Sequence, residues 1–326
     1  MNLPEFDGKA FLAPMSGISD PAFRLLCREQ GAAMVVTELT NVHAIVEKEK
    51  QLAKNGRKIK DFIEYNDLES PVGVQLFGND IDKVIKAAKI VEPFFDFIDF
   101  NMGCPAPHIT SQMAGAALLQ KKEFNQELFS RLVKAVDKPI TLKMRTGPNY
   151  SDCFAFKEVA RTAVEAGVQM LTLHGRSVKQ GYSGKADWDK IKELKEMVDV
   201  PVVGNGDIVS PEKAKEMMDY TGCDYVMVGR GARGNPNLFK DINNYLDKGS
   251  YEKTNTEEKL YFAKKYLEYS KNYNIKFSNK RMQVMQFTKG LEGGSTLRLN
   301  IGRAKDEKEL YEIIENNLVV KNSNKI

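Results

Sequence analysis

Short apolar runs alternate with helical patterns along the first three-quarters of the chain. Each run holds four to six residues, is rich in β-branched or aromatic side chains, and precedes a segment with apolar residues at helical spacing. The runs cover residues 10–14, 34–38, 72–77, 97–101, 140–145, 170–174, 202–205 and 225–229. Eight strands, each followed by a helix, are typical of a (β/α)8 barrel, and about 240 residues suit one. The pattern therefore predicts an α/β fold built on a TIM barrel.

Residues that begin and end helices support this alternation. Asp20 and Ser210 each stand directly before a proline, which suits the start of a helix. Gly222 follows the second of these helices, at a position where glycine commonly ends one. The alternative, a doubly wound open sheet, needs a glycine-rich fingerprint after its first strand, and residues 13–17 lack it. We therefore expect the barrel.

The pattern changes after residue 240. Residues 247–256 are polar and rich in turn formers, which suits a linker. Three helical patterns follow, over residues 257–273, 279–290 and 305–316. We predict two domains, a barrel over residues 1–243 and a small all-helical domain over residues 244–326.

Bulk composition narrows the class of protein. The first residues have neither a basic nor an apolar signal region, and no apolar run approaches the ~20 residues that span a bilayer. Four cysteines, Cys27, Cys104, Cys153 and Cys223, lie far apart without a CxxC pair, and the chain holds three histidines. We therefore expect a cytoplasmic protein without a disulfide framework, a metal site or a membrane span. Cys27 and Cys223 read as structural residues of the core.

Charge is distributed unevenly along the chain. The net charge of +4 divides into 17 Lys/Arg against 12 Asp/Glu in residues 240–326 and a near balance before them. Residues 259–305 hold 11 basic and two acidic side chains, interleaved with aromatic residues. Many of these aromatics must form the core of the helical domain, and lysines often form an ordinary solvated face. An excess of this size nevertheless favours a polyanionic partner that is bound through its phosphates.

Polar side chains follow most of the predicted strands. In a TIM barrel, the carboxyl ends of the strands meet at the rim that holds the active site. Charged and amide groups there cost desolvation energy unless a ligand or partner compensates for it. The residues that the pattern brings to this rim are Met15, Gln75, Asn101, Cys104, Lys143, Arg145, His174, Arg176, Asn205, Asp207 and Arg230.

Two glycine-rich loops follow the last two strands, where barrels commonly hold a phosphate. Residues 204–207 and 229–233 can expose backbone N–H groups there, and Arg230 can add charge. Lys143 beside such a site suits a flavin, because a cation stabilises the charge of the reduced ring. From its own position, Lys143 fits a strand-end salt bridge equally well, and His174 fits an ordinary histidine of the rim. For Cys104 alone, a reactive and a structural role remain open.

A loop over residues 180–188 follows the sixth strand and contains the only tryptophan. One interpretation is a loop whose Trp188 packs against the barrel; the other is a lid over the site. We expect a mixture, in which Trp188 packs while Tyr182 and Lys185 are available to a substrate.

Eight short motifs occur along the chain in a characteristic order. They lie at residues 13–17, 74–78, 101–105, 142–147, 173–176, 182–188, 204–207 and 228–232. Together they resemble the tRNA-dihydrouridine synthases, densely over residues 10–240 and more loosely through residues 287–294. Residues 106–108, Ala-Pro-His, depart from the basic residues that many relatives carry after the Cys-Pro pair.

The resemblance implies an FMN-bound barrel with a helical tRNA-binding domain that reduces the C5–C6 bond of uridines. NADPH reduces the flavin in this family, flavin N5 delivers a hydride to C6, and a thiol protonates C5. Cys104 would be this acid, which must stay protonated until that step, and Asn101 would hold the uracil edge. Arg145, Arg176, Tyr182 and Lys185 would face the substrate. The residues implied to contact FMN are Pro14, Met15, Gln75, Lys143, His174, Asn205, Gly206, Asp207, Gly229 and Arg230.

Two rival functions fit parts of this pattern. A small-molecule FMN barrel reductase of the dihydroorotate dehydrogenase type shares the phosphate loops but gives no reason for the basic segment 259–305. A tRNA-binding chaperone with an inactive barrel would lack the flavin contacts or the acid, whereas Lys143 and Cys104 are both present.

Overall fold

A ring of parallel strands forms the centre of the computed structural model, which describes residues 2–149, 152 and 154–323. The strands are β1 (Ala10–Leu12), β2 (Val35–Val36), β3 (Thr40–Asn41), β4 (Val72–Phe77), β5 (Phe97–Met102), β6 (Ile140–Arg145), β7 (Met170–His174), β8 (Val202–Asn205) and β9 (Tyr225–Val228). Their order is β1-β9-β8-β7-β6-β5-β4-β2, and the short β3 also pairs with β4. A parallel bridge between Phe11 and Met34 brings β1 beside β2 and completes the ring. The predicted TIM barrel is confirmed.

Helices surround the ring between successive strands. They are α1 (Pro21–Glu29), α2 (Val42–Ala53), α3 (Ile81–Val91), the short α4 (Pro107–Thr110), α5 (Lys122–Ala135), α6 (Ala155–Ala166), α7 (Trp188–Met197), α8 (Pro211–Thr221) and α9 (Leu238–Lys248). The side chains of Asp20 and Ser210 accept hydrogen bonds from backbone N–H groups of the helices that they precede. Gly222 ends α8 in the left-handed conformation. These predicted helix ends are confirmed.

The first strands are shorter than the apolar pattern predicted. β1 stops at Leu12, two residues before Pro14, whose ring nitrogen cannot donate to a neighbouring strand. The second run, 34–38, gives only the two-residue β2, and the short β3 lies beyond it; between them, Leu39 reaches the central cavity. Cys27 and Cys223 are buried in the core, as predicted, whereas Cys153 lies outside the described residues.

Four helices follow the barrel: α10 (Thr256–Ser270), α11 (Phe277–Phe287), α12 (Gly294–Arg303) and α13 (Glu307–Ser323). The prediction of three helices was wrong, since it missed α12. That helix begins with glycine, serine and threonine, which are weak helix formers, and tertiary packing overrides this weakness. Leu297 and Ile301, one turn apart, are both buried. Helix α9 continues across residue 243, and the domain boundary at that residue stays a prediction.

The later helices are joined to the barrel by buried contacts. The Tyr266 hydroxyl donates to Asp20 Oδ2 at 2.8 Å, and the rings of Phe23 and Phe287 lie 6.4 Å apart. A Cβ atom on Gly234, at a φ of +69°, would lie 2.3 Å from the backbone of Gln286 in α11. The loop after β9 therefore touches α11 directly, backbone to backbone.

None of the helices in residues 2–149, 152 and 154–323 is both long and apolar enough to cross a bilayer. Within the same residues, no group of three or more His, Cys, Asp or Glu side chains is arranged to hold a metal ion.

Candidate active site

A cavity of about 560 Å³ opens at the carboxyl ends of the strands. Its volume is within the range of small-molecule and cofactor sites. Fourteen of the predicted site residues line it: Pro14, Met15, Gln75, Asn101, Cys104, Lys143, Arg145, His174, Tyr182, Asn205, Gly206, Asp207, Gly229 and Arg230. The carboxyl ends of seven strands, β1 and β4 to β9, therefore bring these side chains to one place, as the rim of a barrel requires.

Strands β4 and β5 contribute a row of hydrogen-bonded amides. Gln75 Nε2 donates to Asp99 Oδ2 at 2.7 Å, and Asn101 Nδ2 donates to Gln75 Oε1 at 2.7 Å. Asn101 Oδ1 accepts from the backbone N–H groups of Gly103 and Cys104 at 3.1 and 2.9 Å. The amide of Asn101 thereby holds the loop that carries the thiol.

Lys143 and His174 are two groups of the cavity wall whose pKa values are shifted strongly. Lys143 Nζ donates to Asn205 Oδ1 at 3.0 Å, and burial lowers the pKa of this lysine to about 8. Burial, together with the charges of Lys143 and the neighbouring arginines, lowers the pKa of His174, so its imidazole is neutral at neutral pH. At neutral pH, the Lys143 ammonium and the uncharged His174 imidazole therefore line the same wall.

Arg145 joins two loops above the site. Its Nε donates to the Gly103 carbonyl at 3.1 Å, while one terminal nitrogen donates to the carbonyls of Ser177 and Gly181 at 2.9 and 3.0 Å. The guanidinium also lies 5.7 Å from the ring of Tyr182. Arg145 is 2% exposed and connects the Cys104 loop to the segment after β7.

The buried Arg176 forms an ion pair with the partly exposed Asp207 beneath that segment. One terminal nitrogen of Arg176 donates to both carboxylate oxygens of Asp207 at 2.8 Å and to the Gly184 carbonyl at 2.7 Å. Burial acts to raise the pKa of Asp207, but the Ala186 N–H and the arginine charges hold it below its ordinary value. Asp207 also accepts from Arg230 at 3.0 Å. Asp207 therefore positions Arg230 and the segment 183–186 together.

Tyr182 and Lys185 occupy the outer part of the same segment. Tyr182 is 61% exposed, and its ring lies 4.7 Å from the guanidinium of Arg230. Trp188 packs at the start of α7 and donates its Nε1–H to the Gly206 carbonyl at 3.3 Å. Arg176 and Lys185 are absent from the cavity lining among the described residues, and contact of either with a substrate stays a prediction.

Each of the two glycine-rich loops has a glycine that packs too closely against its neighbours to be replaced by a larger residue. A Cβ atom on Gly206, whose φ is +131°, would lie 2.6 Å from the Ala186 Cβ. A Cβ atom on Gly231 would lie 2.3 Å from the Ile208 carbonyl oxygen. Both loops line the cavity together with Arg230. Backbone and guanidinium groups are thus available to an anion on this side, while Lys143 and Gln75 lie deeper, which suits an anionic, ring-bearing cofactor such as FMN.

Sequence reasoning missed two buried residues that lie behind the cavity wall. Asp99 and Thr141 lie behind the amides, where Thr141 Oγ1 donates to Asp99 Oδ1 at 2.6 Å. Burial raises the pKa of Asp99 above its ordinary value, and the hydrogen bonds from Gln75 and Thr141 and the charge of Lys143 offset only part of this rise. The available signal was a carboxylate inside the predicted strand 97–101, since a buried charge requires partners.

Comparison with known proteins identifies the family. The profile of the "Dihydrouridine synthase (Dus)" family matches residues 11–324. A "tRNA-dihydrouridine synthase B" of Yersinia pestis is 41% identical over 242 residues, which are 73% of this chain and 72% of that protein. The protein of the same name from Escherichia coli (strain K12) is 40% identical over 241 residues, with the same coverage of both chains.

A solved structure shares the fold alone. The 2.1 Å structure of histamine dehydrogenase from Rhizobium sp. 4-9 matches with a TM-score of 0.54 and 16% identity, over 82% of this chain and 48% of that one. The family profile covers nearly the whole chain, and the two dihydrouridine synthases align over most of their own length. This chain therefore belongs to the dihydrouridine synthase (Dus) family of FMN-dependent oxidoreductases.

Proposed function

We propose that this protein is a tRNA-dihydrouridine synthase that reduces the C5–C6 bond of uridines in tRNA with FMN and NADPH. One observation carries the proposal: the Cys104 thiol and the Asn101 amide line the same cavity as Lys143 and both glycine-rich loops. One cavity thus holds a proton donor and a group that can bind the edge of a base. The same cavity is suited to a flavin.

The residues that would hold FMN divide by chemistry. Backbone groups of residues 204–207 and 229–231, with Arg230, suit the phosphate, and Pro14 and Met15 offer an apolar wall. Lys143 and Gln75 suit the polar edge of the ring, and His174 contributes an uncharged nitrogen. When bound, FMN supplies the hydride for C6 of the uracil and is reduced again by NADPH.

The chain itself supplies the proton and the orientation of the base. Hydride addition at C6 leaves negative charge across C5 and O4, and the thiol of Cys104 donates the proton that C5 requires. Asn101 holds the backbone of Cys104 through its Oδ1 and retains an N–H for the uracil edge. Arg145 holds the same loop from the other side through the Gly103 carbonyl.

The helices after the barrel offer cations to the tRNA backbone. Lys264, Lys265 and Lys280 form ion pairs with acidic side chains of this chain. Lys276, Lys289, Arg303 and Lys305 are exposed and make no ion pair among the described residues. We propose that these four unpaired cations contact tRNA phosphates.

Mapping of dihydrouridine in tRNA tests the function. We expect tRNA from cells that lack this protein to lose dihydrouridine at defined positions, and the purified protein to be yellow with bound FMN. A plasmid copy should restore the modification, and the purified enzyme with NADPH should reduce tRNA but not free uracil. A colourless protein that takes up no FMN, or tRNA with unchanged dihydrouridine, would exclude the proposed function.

A further inference from the structure

A buried chain of hydrogen bonds connects Asp99 to the loop of Cys104. Asp99 is 4% exposed and lies outside the cavity lining. Its Oδ2 accepts from Gln75, Gln75 accepts from Asn101, and Asn101 accepts from the Cys104 N–H, at 2.7, 2.7 and 2.9 Å. A carboxylate inside the sheet is thereby linked to the backbone of the proposed acid.

The two ends of this chain of hydrogen bonds, Asp99 and the backbone N–H groups, are consistent with one orientation of the Gln75 and Asn101 amides. In its ionised form the Asp99 carboxylate only accepts, and Gln75 turns its Nε2 toward it at 2.7 Å. Backbone N–H groups only donate, so Asn101 must turn its Oδ1 toward Gly103 and Cys104. Between them, Gln75 Oε1 then faces Asn101 Nδ2, and every contact joins a donor to an acceptor.

This orientation determines what the cavity offers to a ligand. Each amide NH₂ group has two hydrogens, and one of each is used within the chain of hydrogen bonds. One N–H of Gln75 and one of Asn101 therefore remain for acceptors such as the carbonyl oxygens of flavin and uracil rings. Reversal of either amide would present a lone pair instead.

We propose that Asp99 is a positioning residue for the reduction, because its carboxylate orients Gln75 and, through Gln75, orients Asn101 and the Cys104 loop. Asp99 acts only through these neighbours. The roles of Gln75 and Asn101 rest on the proposed function, whereas the order of the Cys104 loop can be measured without it.

Three substitutions separate the acceptor from the charge. Asp99→Leu removes the acceptor and leaves Gln75 Nε2 without its partner. Asp99→Asn removes the charge, but its side-chain oxygen can still accept from Gln75 while its NH₂ group donates to the Thr141 hydroxyl. Thr141→Val is the matched control, since it removes the other hydrogen bond of Asp99 and leaves that with Gln75 intact.

Alkylation of Cys104 reports the order of its loop. The full-length, FMN-free protein is treated with iodoacetamide, and the modified Cys104 peptide is quantified by mass spectrometry. Loss of one buried hydrogen bond changes the equilibrium between the ordered and the open loop by about tenfold. Asp99→Leu should therefore accelerate alkylation about tenfold. Asp99→Asn and Thr141→Val should stay within about twofold of the parent protein. FMN titration should show the same ranking of dissociation constants.

Different results overturn the proposal. Equal effects of Asp99→Asn and Asp99→Leu would assign the role to the charge rather than to the acceptor. Unchanged alkylation and FMN affinity in Asp99→Leu, with only a lower melting temperature, would make Asp99 a structural core residue. If Asp99→Leu does not fold, Gln75→Leu interrupts the same chain and must accelerate alkylation to the same extent. Accelerated alkylation in a protein that forms no dihydrouridine would refute the function and leave the positioning role intact.

Discussion

The backbone around Cys104 is held from both sides. Its N–H donates to Asn101 Oδ1 at 2.9 Å, and its carbonyl accepts from the Ala116 N–H at 3.0 Å. A Cβ atom on Gly115 would lie 2.9 Å from the same carbonyl oxygen, so the neighbouring turn packs closely against it. The thiol is therefore carried by a fixed piece of chain, as a proton donor in a precise reaction requires.

Removal of this thiol should abolish most turnover and spare binding. We expect Cys104→Ala to lower the rate of dihydrouridine formation by about 10²- to 10⁴-fold, the usual contribution of a general acid. FMN and tRNA affinities should stay near those of the parent protein. Single-turnover assays with pre-reduced enzyme measure the rate. Cys27→Ala, a buried cysteine of α1, is the control and should retain turnover; equal loss in both variants would remove Cys104 from the chemistry.

Lys143 predicts a pH dependence of stability. Burial lowers its pKa from the ordinary 10.5 to about 8 in the folded chain. Between these values the unfolded chain holds the proton and the folded chain has lost it, so this group makes stability rise with pH from about 8 to 10.5. Urea unfolding of the FMN-free protein at several pH values measures the effect.

A Lys143→Met substitution provides the comparison. It removes the buried cation, so we expect a more stable FMN-free protein at pH 7, a weaker pH dependence above about pH 8, and weaker FMN binding. The difference between the two proteins isolates Lys143 from other titrating groups. A constant difference across this pH range would contradict the assigned pKa.

At the scale of residues, the sequence predicted those site residues whose position depends on the fold class alone. Asn101, Cys104 and Lys143 were found because strand ends gather at one rim, a property of the fold class. The pairing of Arg176 with Asp207 depends on the path of residues 177–187, and apolar periodicity carries no information about loop paths. Asp99 was missed for the same reason, since its partners come from other strands.

At the scale of elements, predictability follows burial. Strands β4, β6, β7 and β8 were predicted to the residue, because each is a mostly buried run between polar turns. Helix α12 was missed because its first turn has weak helix formers and only Leu297 and Ile301 reveal its buried face. Local propensity was therefore informative where packing and propensity agree, and misleading where they conflict.

The contact between the β9 loop and α11 predicts an asymmetric effect of two similar substitutions. Gly234 and Gly249 have φ angles of +69° and +72°, so alanine costs about 1 kcal/mol of strain at either position. A Cβ atom at Gly249 meets nothing within 4 Å, whereas one at Gly234 would lie 2.3 Å from the α11 backbone. We expect Gly234→Ala to lower the free energy of unfolding by more than Gly249→Ala, measured by urea titration. Equal losses of unfolding free energy in both variants would show that α11 moves away from the new Cβ atom without loss of stability.

At the scale of the whole molecule, charge is divided between structure and surface. The excess of cations in residues 259–305 could be counted in the sequence, but their partners could not. Lys280 is 3% exposed and bonded to Glu307 at 2.8 Å, and Lys265 binds Glu29 of α1 at 2.7 Å. Part of the excess therefore stabilises the helices and their attachment to the barrel.

The four unpaired cations predict the salt dependence of tRNA binding. Each phosphate contact contributes about 0.7 to 0.9 to the slope of log affinity against log salt. Replacement of Lys276, Lys289, Arg303 and Lys305 by serine should therefore reduce the slope by about 3, measured by filter binding between 50 and 200 mM salt. Serine substitutions at four exposed lysines of the barrel, Lys48, Lys50, Lys54 and Lys58, form the control set. An equal change in both sets would indicate general electrostatic attraction without a defined surface.

The backbone contact between Gly234 and α11 also bears on which molecule changes shape when tRNA binds. The loop that carries Arg230 lies directly against the helices, and the Tyr266 hydroxyl is bonded to Asp20 at the start of α1, so we expect the barrel and the helices to move together. Under the proposed function, the RNA must then change its shape to bring the uridine into the cavity. A uridine in a loop leaves its neighbours at small cost, whereas one in a continuous duplex costs a few kcal/mol more to displace. The choice among uridines would then reflect the local softness of the RNA as much as the chemistry of the protein.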